Sequence, residues 1–208
     1  MKRHLSIAFG VCWLLVVGAC SGSSSRGPGS GIEPTTTIKD IMDSLVDPNA
    51  DILWESVATT VSADGIEEKA PRTEEDWAEV RRSAIALIEA ANLLLVPGRR
   101  VAKPGDKAED PNIELAPEQI EEKINADWNL WVSRAQRLQK CAMESLAAIE
   151  EKNAERLLNA GGPLDSACES CHIVYWYPND EAAKQLYEQR EKEEEVLRQK
   201  GGLPAGCI

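Results

Sequence analysis

Five consecutive residues, Cys168-Glu169-Ser170-Cys171-His172, carry the sharpest chemistry in this chain of 208 residues. On a helix, thiols at i and i+3 lie one turn apart on the same side, and His172 follows the second thiol directly. That spacing lets both thiols form thioethers with the two vinyl groups of one haem, with the imidazole on the proximal side of the iron. Cys168 and Cys171 are therefore candidate attachment residues for one covalent haem c, and His172 is the candidate iron ligand. Paired cysteines serve two other chemistries. A thioredoxin-like redox pair needs a βαβ setting, and no stretch of this chain alternates with period two for long. A zinc site needs four ligands; His4 is the other histidine, so Cys141 and Cys207 would both have to converge on the motif.

The elements that must position this motif read as helices. Apolar residues at three-four spacing predict a first helix over 37–61, with Ile38, Met42, Leu45, Ile52, Val57 and Val61 inward. Pro48 predicts a kink near Asp47, and Asp64-Gly65 ends the helix. Thr73 is a plausible N-cap for the second helix, with Glu74, Glu75 and Asp76 in its first turn and Pro97-Gly98 as its stop. Residues 97–116, rich in Pro, Gly and charge, form a long surface connection. A third helix opens at Pro117 and runs to the region of Ile149, with Gly161-Gly162 closing it. Pro163 then opens the fourth helix, which carries the motif and ends near Tyr177 because Pro178 follows. Asn179 or Asp180 caps a last helix over 181–200, whose Glu191–Glu195 charge run reads as a solvated face. The expected fold is all-α: a four-helix bundle with a C-terminal helical extension.

The N-terminal end is an address. Lys2, Arg3 and His4 precede an apolar run over 5–17, too short to span a bilayer comfortably. Val17-Gly18-Ala19-Cys20 resembles the lipobox of bacterial lipoproteins, in which Cys20 becomes the lipidated first residue; an ordinary cleaved signal with a chance cysteine is the alternative. Ser21 after Cys20 favours the outer membrane over the inner one. The expected organisation is a signal peptide over 1–19, a Ser/Gly-rich tether over 20–35, a haem domain over 36–177 and the extension over 178–208. Removing 1–19 removes Lys2 and Arg3 and no anion, which moves the formal charge from −12 to −14. Such a surface gives nucleic acid nothing to bind and favours a docking partner that presents Lys and Arg. With Cys12 and Cys20 in the signal region, Cys141 and Cys207 remain; an oxidising compartment permits a bond between them, and the sequence alone does not establish one.

A single C-x-x-C-H late in a series of four amphipathic helices resembles cytochrome c prime and its four-helix relatives, over about residues 36–177. Tyr175 fits the aromatic that follows the motif in that family, whereas Trp176 stands where the family carries a cation. The roughly 30 residues beyond Pro178 exceed the usual family length. The resemblance implies that the first helix covers the distal face of the iron. No histidine but His172 remains after the signal, so the sixth ligand falls to a thioether: Met42, in that helix, is the candidate, with a plain core residue as its bland reading. Met143 is expected only to pack. Trp54, Trp77, Trp128, Trp131 and Trp176 read as core, with Tyr175 and Trp176 beside the haem. The function implied is that of an electron-transfer cytochrome rather than an enzyme, held to the cell envelope by its lipid, facing the periplasm and serving a redox partner protein there. The alternative is a five-coordinate haem that binds nitric oxide or carbon monoxide. The family also makes a homodimer through outer helices an option.

Overall fold

Thr37 opens the ordered helices with a capping box: its hydroxyl accepts from the Asp40 amide at 3.0 Å, and the Asp40 carboxylate accepts from the Thr37 amide at 3.1 Å. The computed structural model describes residues 32–63, 65–200 and Cys207. The signal expected over 1–19, Cys20 and the tether up to residue 31 lie outside the described residues. From Glu33 onward the chain is one unit, mostly helical, as expected of an all-α chain.

The first helical segment is continuous but not uniform. Helix α1 (Ile38–Ile41) passes into a π-helical turn (Met42–Val46) and then into α2 (Asp47–Glu55). The Asp47 amide donates to the Met42 carbonyl, one residue farther back than in an α-helix. Pro48 supplies no amide, and the Asn49 side chain donates instead to the Leu45 carbonyl at 2.8 Å. The kink expected near Asp47 thus takes the form of an inserted residue. That insertion resets the buried face, which runs Ile38, Ile41, Val46, Ala50, Leu53 and Val57. Of the six positions expected inward, only Ile38 and Val57 are fully buried, and Val61 is 75% exposed.

Val61 is exposed because the helix expected to reach it stops at Glu55. The Ser56 hydroxyl donates to the Leu53 carbonyl at 2.7 Å, and the β-branched run Thr59-Thr60-Val61 then forms a strand. Strands β1 (Ala58–Ser62) and β2 (Gly65–Lys69) pair antiparallel, with Val61 opposite Ile66. Gly65 takes φ +133°, a conformation a side chain would strain. This small hairpin corrects the expectation of no strand.

Helix α3 (Glu74–Leu93) starts as expected: Thr73 and Asp76 form a second capping box. The connection after it does not stay on the surface. Val101 is fully buried, and the carbonyls of Arg100 and Val101 receive the amides of Ile38 and Lys39 at 2.9 Å each. The single third helix of the sequence reading is two, α4 (Pro117–Ala126) and α5 (Trp128–Glu150). Asp127 leaves the helical region (φ −138°, ψ 76°) and caps α5 by accepting from the Leu130 amide at 3.0 Å.

Helix α5 ends at Glu150, well before Gly161-Gly162. Lys152 adopts φ +51° and Asn153 caps α6 (Ala154–Tyr175), which carries both glycines and Pro163 in its interior. The glycines were read as a stop; the tertiary contact explains why a helix keeps one. Trp54 donates to the Gly161 carbonyl at 3.2 Å, and a Cβ on Gly161 would meet the Trp54 ring at 3.4 Å. Helix α7 (Glu181–Gln199) begins at the Asp180 cap as expected. Its charge run is not wholly solvated. Arg137 pairs with Glu191 at 2.5 Å, and Glu194 is buried against the Ser166 hydroxyl.

Helix α3 packs on α5, α5 on α6, α2 on α3, and α7 on α6. Leu87, Ile120 and Leu164 lie in the centre with almost no exposed surface; each such side chain contributes about 1.5–3 kcal/mol. Among the described residues no helix is long and apolar enough to cross a membrane. Cys141, buried on α5, is bonded to Cys207 across a sequence separation of 66. This resolves what the sequence left open and ties the C-terminal end to the core. Replacing Cys207 with Ser should lower stability by about 2–4 kcal/mol, measured as an earlier unfolding midpoint in urea. A midpoint equal to the parent's would show that the bond contributes nothing.

Candidate functional site

The motif lies in the last two turns of α6, where helical geometry sets Cys168, Cys171 and His172 on one side. They open onto two adjoining cavities of about 230 Å³ each. The two cavities share five wall residues: Met42, Asp47, Trp131, Cys171 and His172. Cys168 borders the second cavity alone, with Val46, Ala50 and Leu138. Ile38, Val101, Leu115 and Ile120 give the first its apolar wall. The space is therefore a two-lobed slot between the α1–α2 segment, α5 and α6, with Met42, Cys171 and His172 at its waist and Cys168 in the second lobe.

Each wall is held for a stated reason. The π turn begins at Met42, so the residue most in question sits where the first helical segment departs from regular geometry. Trp131 spans from α5 to α3, its indole donating to the Leu94 carbonyl at 3.0 Å. Its ring meets Tyr175 edge-on, with centroids 5.2 Å apart and planes at 83°. The Leu115 amide donates to the Trp176 carbonyl at 2.8 Å, which fastens the 97–116 connection to the end of α6. Tyr175 and Trp176, expected near the motif's ligand, both line the first cavity. Met143 is 54% exposed on α5 and borders neither cavity, so its expected packing role is not observed.

The chemistry of the two thiols is set by their surroundings. Both are free, and burial pushes each up to about 12. A redox-active C-x-x-C pair has a lowered pKa on its attacking cysteine, so these thiols lack the activation such exchange requires. The zinc reading also loses its ligands, because Cys141 and Cys207 are bonded to each other. Among the described residues no group of three or more His, Cys, Asp or Glu side chains is placed to hold a bare metal ion.

His172 turns Nδ1 toward Glu169, 3.8 Å from Oε2, which leaves Nε2 as the nitrogen for a metal. The same Glu169 oxygen accepts the Tyr177 hydroxyl at 2.8 Å. The His172 ring and the Tyr177 hydroxyl together hold the Glu169 carboxyl below the usual carboxylate range. Across the slot on α5, the Arg134 Nε is buried without a hydrogen-bond partner, and so is the Tyr175 hydroxyl. A buried donor without a partner costs about 1–3 kcal/mol. Arg137 leaves its Nε unpaired for a plainer reason: its terminal nitrogens bond Tyr187 and Glu191.

Sequence reasoning found the motif and Met42 but missed Arg134, Glu169, Tyr177 and the buried Val101. Glu169 lay inside the motif, and its type was the available signal. Nothing in the spacing marks Arg134. The comparisons with known proteins return no family model, no curated protein and no solved structure that matches this chain.

Thiol reactivity checks the electrostatic account. At pH 8, with no group attached, Cys168 and Cys171 should alkylate roughly thirtyfold more slowly than an exposed cysteine, since the fall in thiolate outweighs its gain in nucleophilicity. The rate should keep rising beyond pH 10, when an ordinary thiol has levelled off. A plateau near pH 9 for both would overturn the account.

Proposed function

We propose that this chain is an exported c-type haem protein that carries electrons, with α1–α2, α3, α5 and α6 forming a four-helix haem bundle like that of cytochrome c prime. The observation that carries the reading is the two-lobed slot, whose second lobe is lined by Cys168, Cys171, His172 and Met42 together, the last three also lining the first. Cys168 and Cys171 attach one haem c through thioethers. His172 supplies the proximal ligand, and Met42 the sixth. When bound, the haem supplies the one-electron couple; the protein sets how readily it is reduced.

The residues present fit such a group. Its flat apolar ring would be received by Val46, Ala50, Leu138, Ile120 and Val101, and its carboxylates would meet the unpaired donor of Arg134. Thioether ligation by Met42 and an apolar wall both favour the ferrous state and raise the potential. Burial raises both thiols, which favours their protonated form at neutral pH. Haem attachment takes place on the exported face of bacterial membranes, which agrees with the signal read over 1–19 and with lipid attachment at Cys20. The tether over 20–35 would let the haem domain hang from the envelope, outer membrane before inner. A net charge of −12 before cleavage suits a cationic redox partner there. The C-terminal extension packs on α6, and a homodimer would use the remaining outer helix faces.

The test is the ferrous absorption spectrum of protein matured with its haem-attachment machinery, with and without carbon monoxide. A sharp α-band that the gas leaves unchanged is expected. Met42→Ala should then give a broad high-spin spectrum that the gas shifts. If the parent already responds to the gas, Met42 is a core residue and gas binding is the function. Absence of covalent haem after full maturation sinks both.

A further inference from the structure

Glu169 has no role in haem attachment, yet its surroundings differ from those of a surface carboxylate. Its side chain keeps only 22% of its surface exposed. No Lys or Arg lies within ion-pair distance of it among the described residues; nearby Arg190 is paired with Asp165. Its Oε2 instead gathers two groups of the motif's own end of the helix, the Tyr177 hydroxyl at 2.8 Å and the His172 Nδ1 at 3.8 Å. Tyr177 is itself tied to this turn, since its amide donates to the His172 carbonyl at 3.0 Å. Its ring stands 5.7 Å from the imidazole, tilted by 56°.

We propose that Glu169, held in place by the Tyr177 hydroxyl, is a positioning residue that accepts the Nδ1 proton of His172 and makes Nε2 a stronger donor to haem iron. The inference rests on the haem reading above. At 3.8 Å the contact is electrostatic rather than a formed hydrogen bond, and contacts of this kind tighten once a ligand set is complete. Metal-bound histidines generally give their second nitrogen to a carboxylate or carbonyl, which fixes the ring and raises its basicity. A carboxylate does this more strongly than a neutral carbonyl, because its charge is opposed to that of an imidazolium. Here the residue that performs it lies between the two attachment cysteines, so one helical turn both anchors the group and tunes its ligand. The effect opposes that of a Met42 thioether: a more basic histidine stabilises ferric iron and lowers the potential. Tyr177 sets the strength by drawing on the same oxygen.

The experiment uses the fully matured holoprotein carrying Glu169→Gln or Tyr177→Phe, with Asp165→Asn as a control for loss of a neighbouring negative charge. The iron–histidine stretching frequency is read by resonance Raman in a Met42→Ala background, where the sixth position is open, and the reduction potential in the parent background. Glu169→Gln should keep its covalent haem, lower the stretching frequency and shift the ferric–ferrous equilibrium roughly tenfold toward ferrous. Tyr177→Phe frees the carboxylate for His172 and should move both readings the opposite way. Asp165→Asn should leave the stretch where it was. An unchanged stretch in Glu169→Gln with haem attached overturns the proposal and leaves the haem reading standing. Should Glu169→Gln fail to mature, Tyr177→Phe decides: no change in the stretch overturns the proposal. A parent without covalent haem overturns both together.

Discussion

One turn of α6 must present two thiols and an imidazole to open space, and helix packing works against that. Side chains on facing helices interdigitate to crystal-like density unless something holds the backbones apart or aims the side chains away. Three devices keep the slot open here. The π turn at Met42–Val46 adds a residue to the first helical segment and rotates the following turn's apolar face. Asp127 breaks the long apolar stretch after Pro117, so α4 and α5 run as separate helices. Trp131 then acts as a strut: fixed to α3 through the Leu94 carbonyl, it meets Tyr175 of α6 edge-on. Met42, Val46 and Trp131 themselves line the cavities.

Electrostatics near the slot follow from what each charged group can reach. Two carboxylates of α6 have partners of their own, Arg190 for Asp165 and Tyr177 with His172 for Glu169. The one arginine on the slot's α5 wall has none for its buried nitrogen. Asp47, Asp51 and Asp165 line the same cavity as Arg134, so its wall carries both signs of charge.

The C-terminal part is tied to α5 and α6. Glu194 is buried on α7 against Ser166 of α6, Arg137 of α5 reaches Tyr187 and Glu191, and Cys207 is bonded to Cys141. Burial raises Glu194 above the usual carboxylate range although Ser166 donates to it. These ties cross from α5 to α6 to α7 and hold the helix that carries the motif against the one that carries Trp131 and Arg134. By contrast, the hairpin over 58–69 exposes both Val61 and Ile66 and touches the core little.

How much of this was legible in the chain divides along a physical line. Local signals were readable because their causes are local: the thiol and imidazole spacing, the helix start near Thr37, the Thr73 cap, the cap at Asn179 or Asp180, and the apolar stripes of α3 and α5. Boundaries failed where a distant contact outweighed propensity. Gly161 stays helical where Trp54, more than a hundred residues away, packs on it and donates to its carbonyl. Val61 pairs with Ile66 in a strand instead of continuing a helix, and the Cys141–Cys207 bond joins residues 66 apart. The sequence by itself determined that two thiols and one histidine share a helical face. Only the tertiary structure decided that Met42 and Arg134 stand around them, since packing between helices, not spacing along one, brings those side chains together.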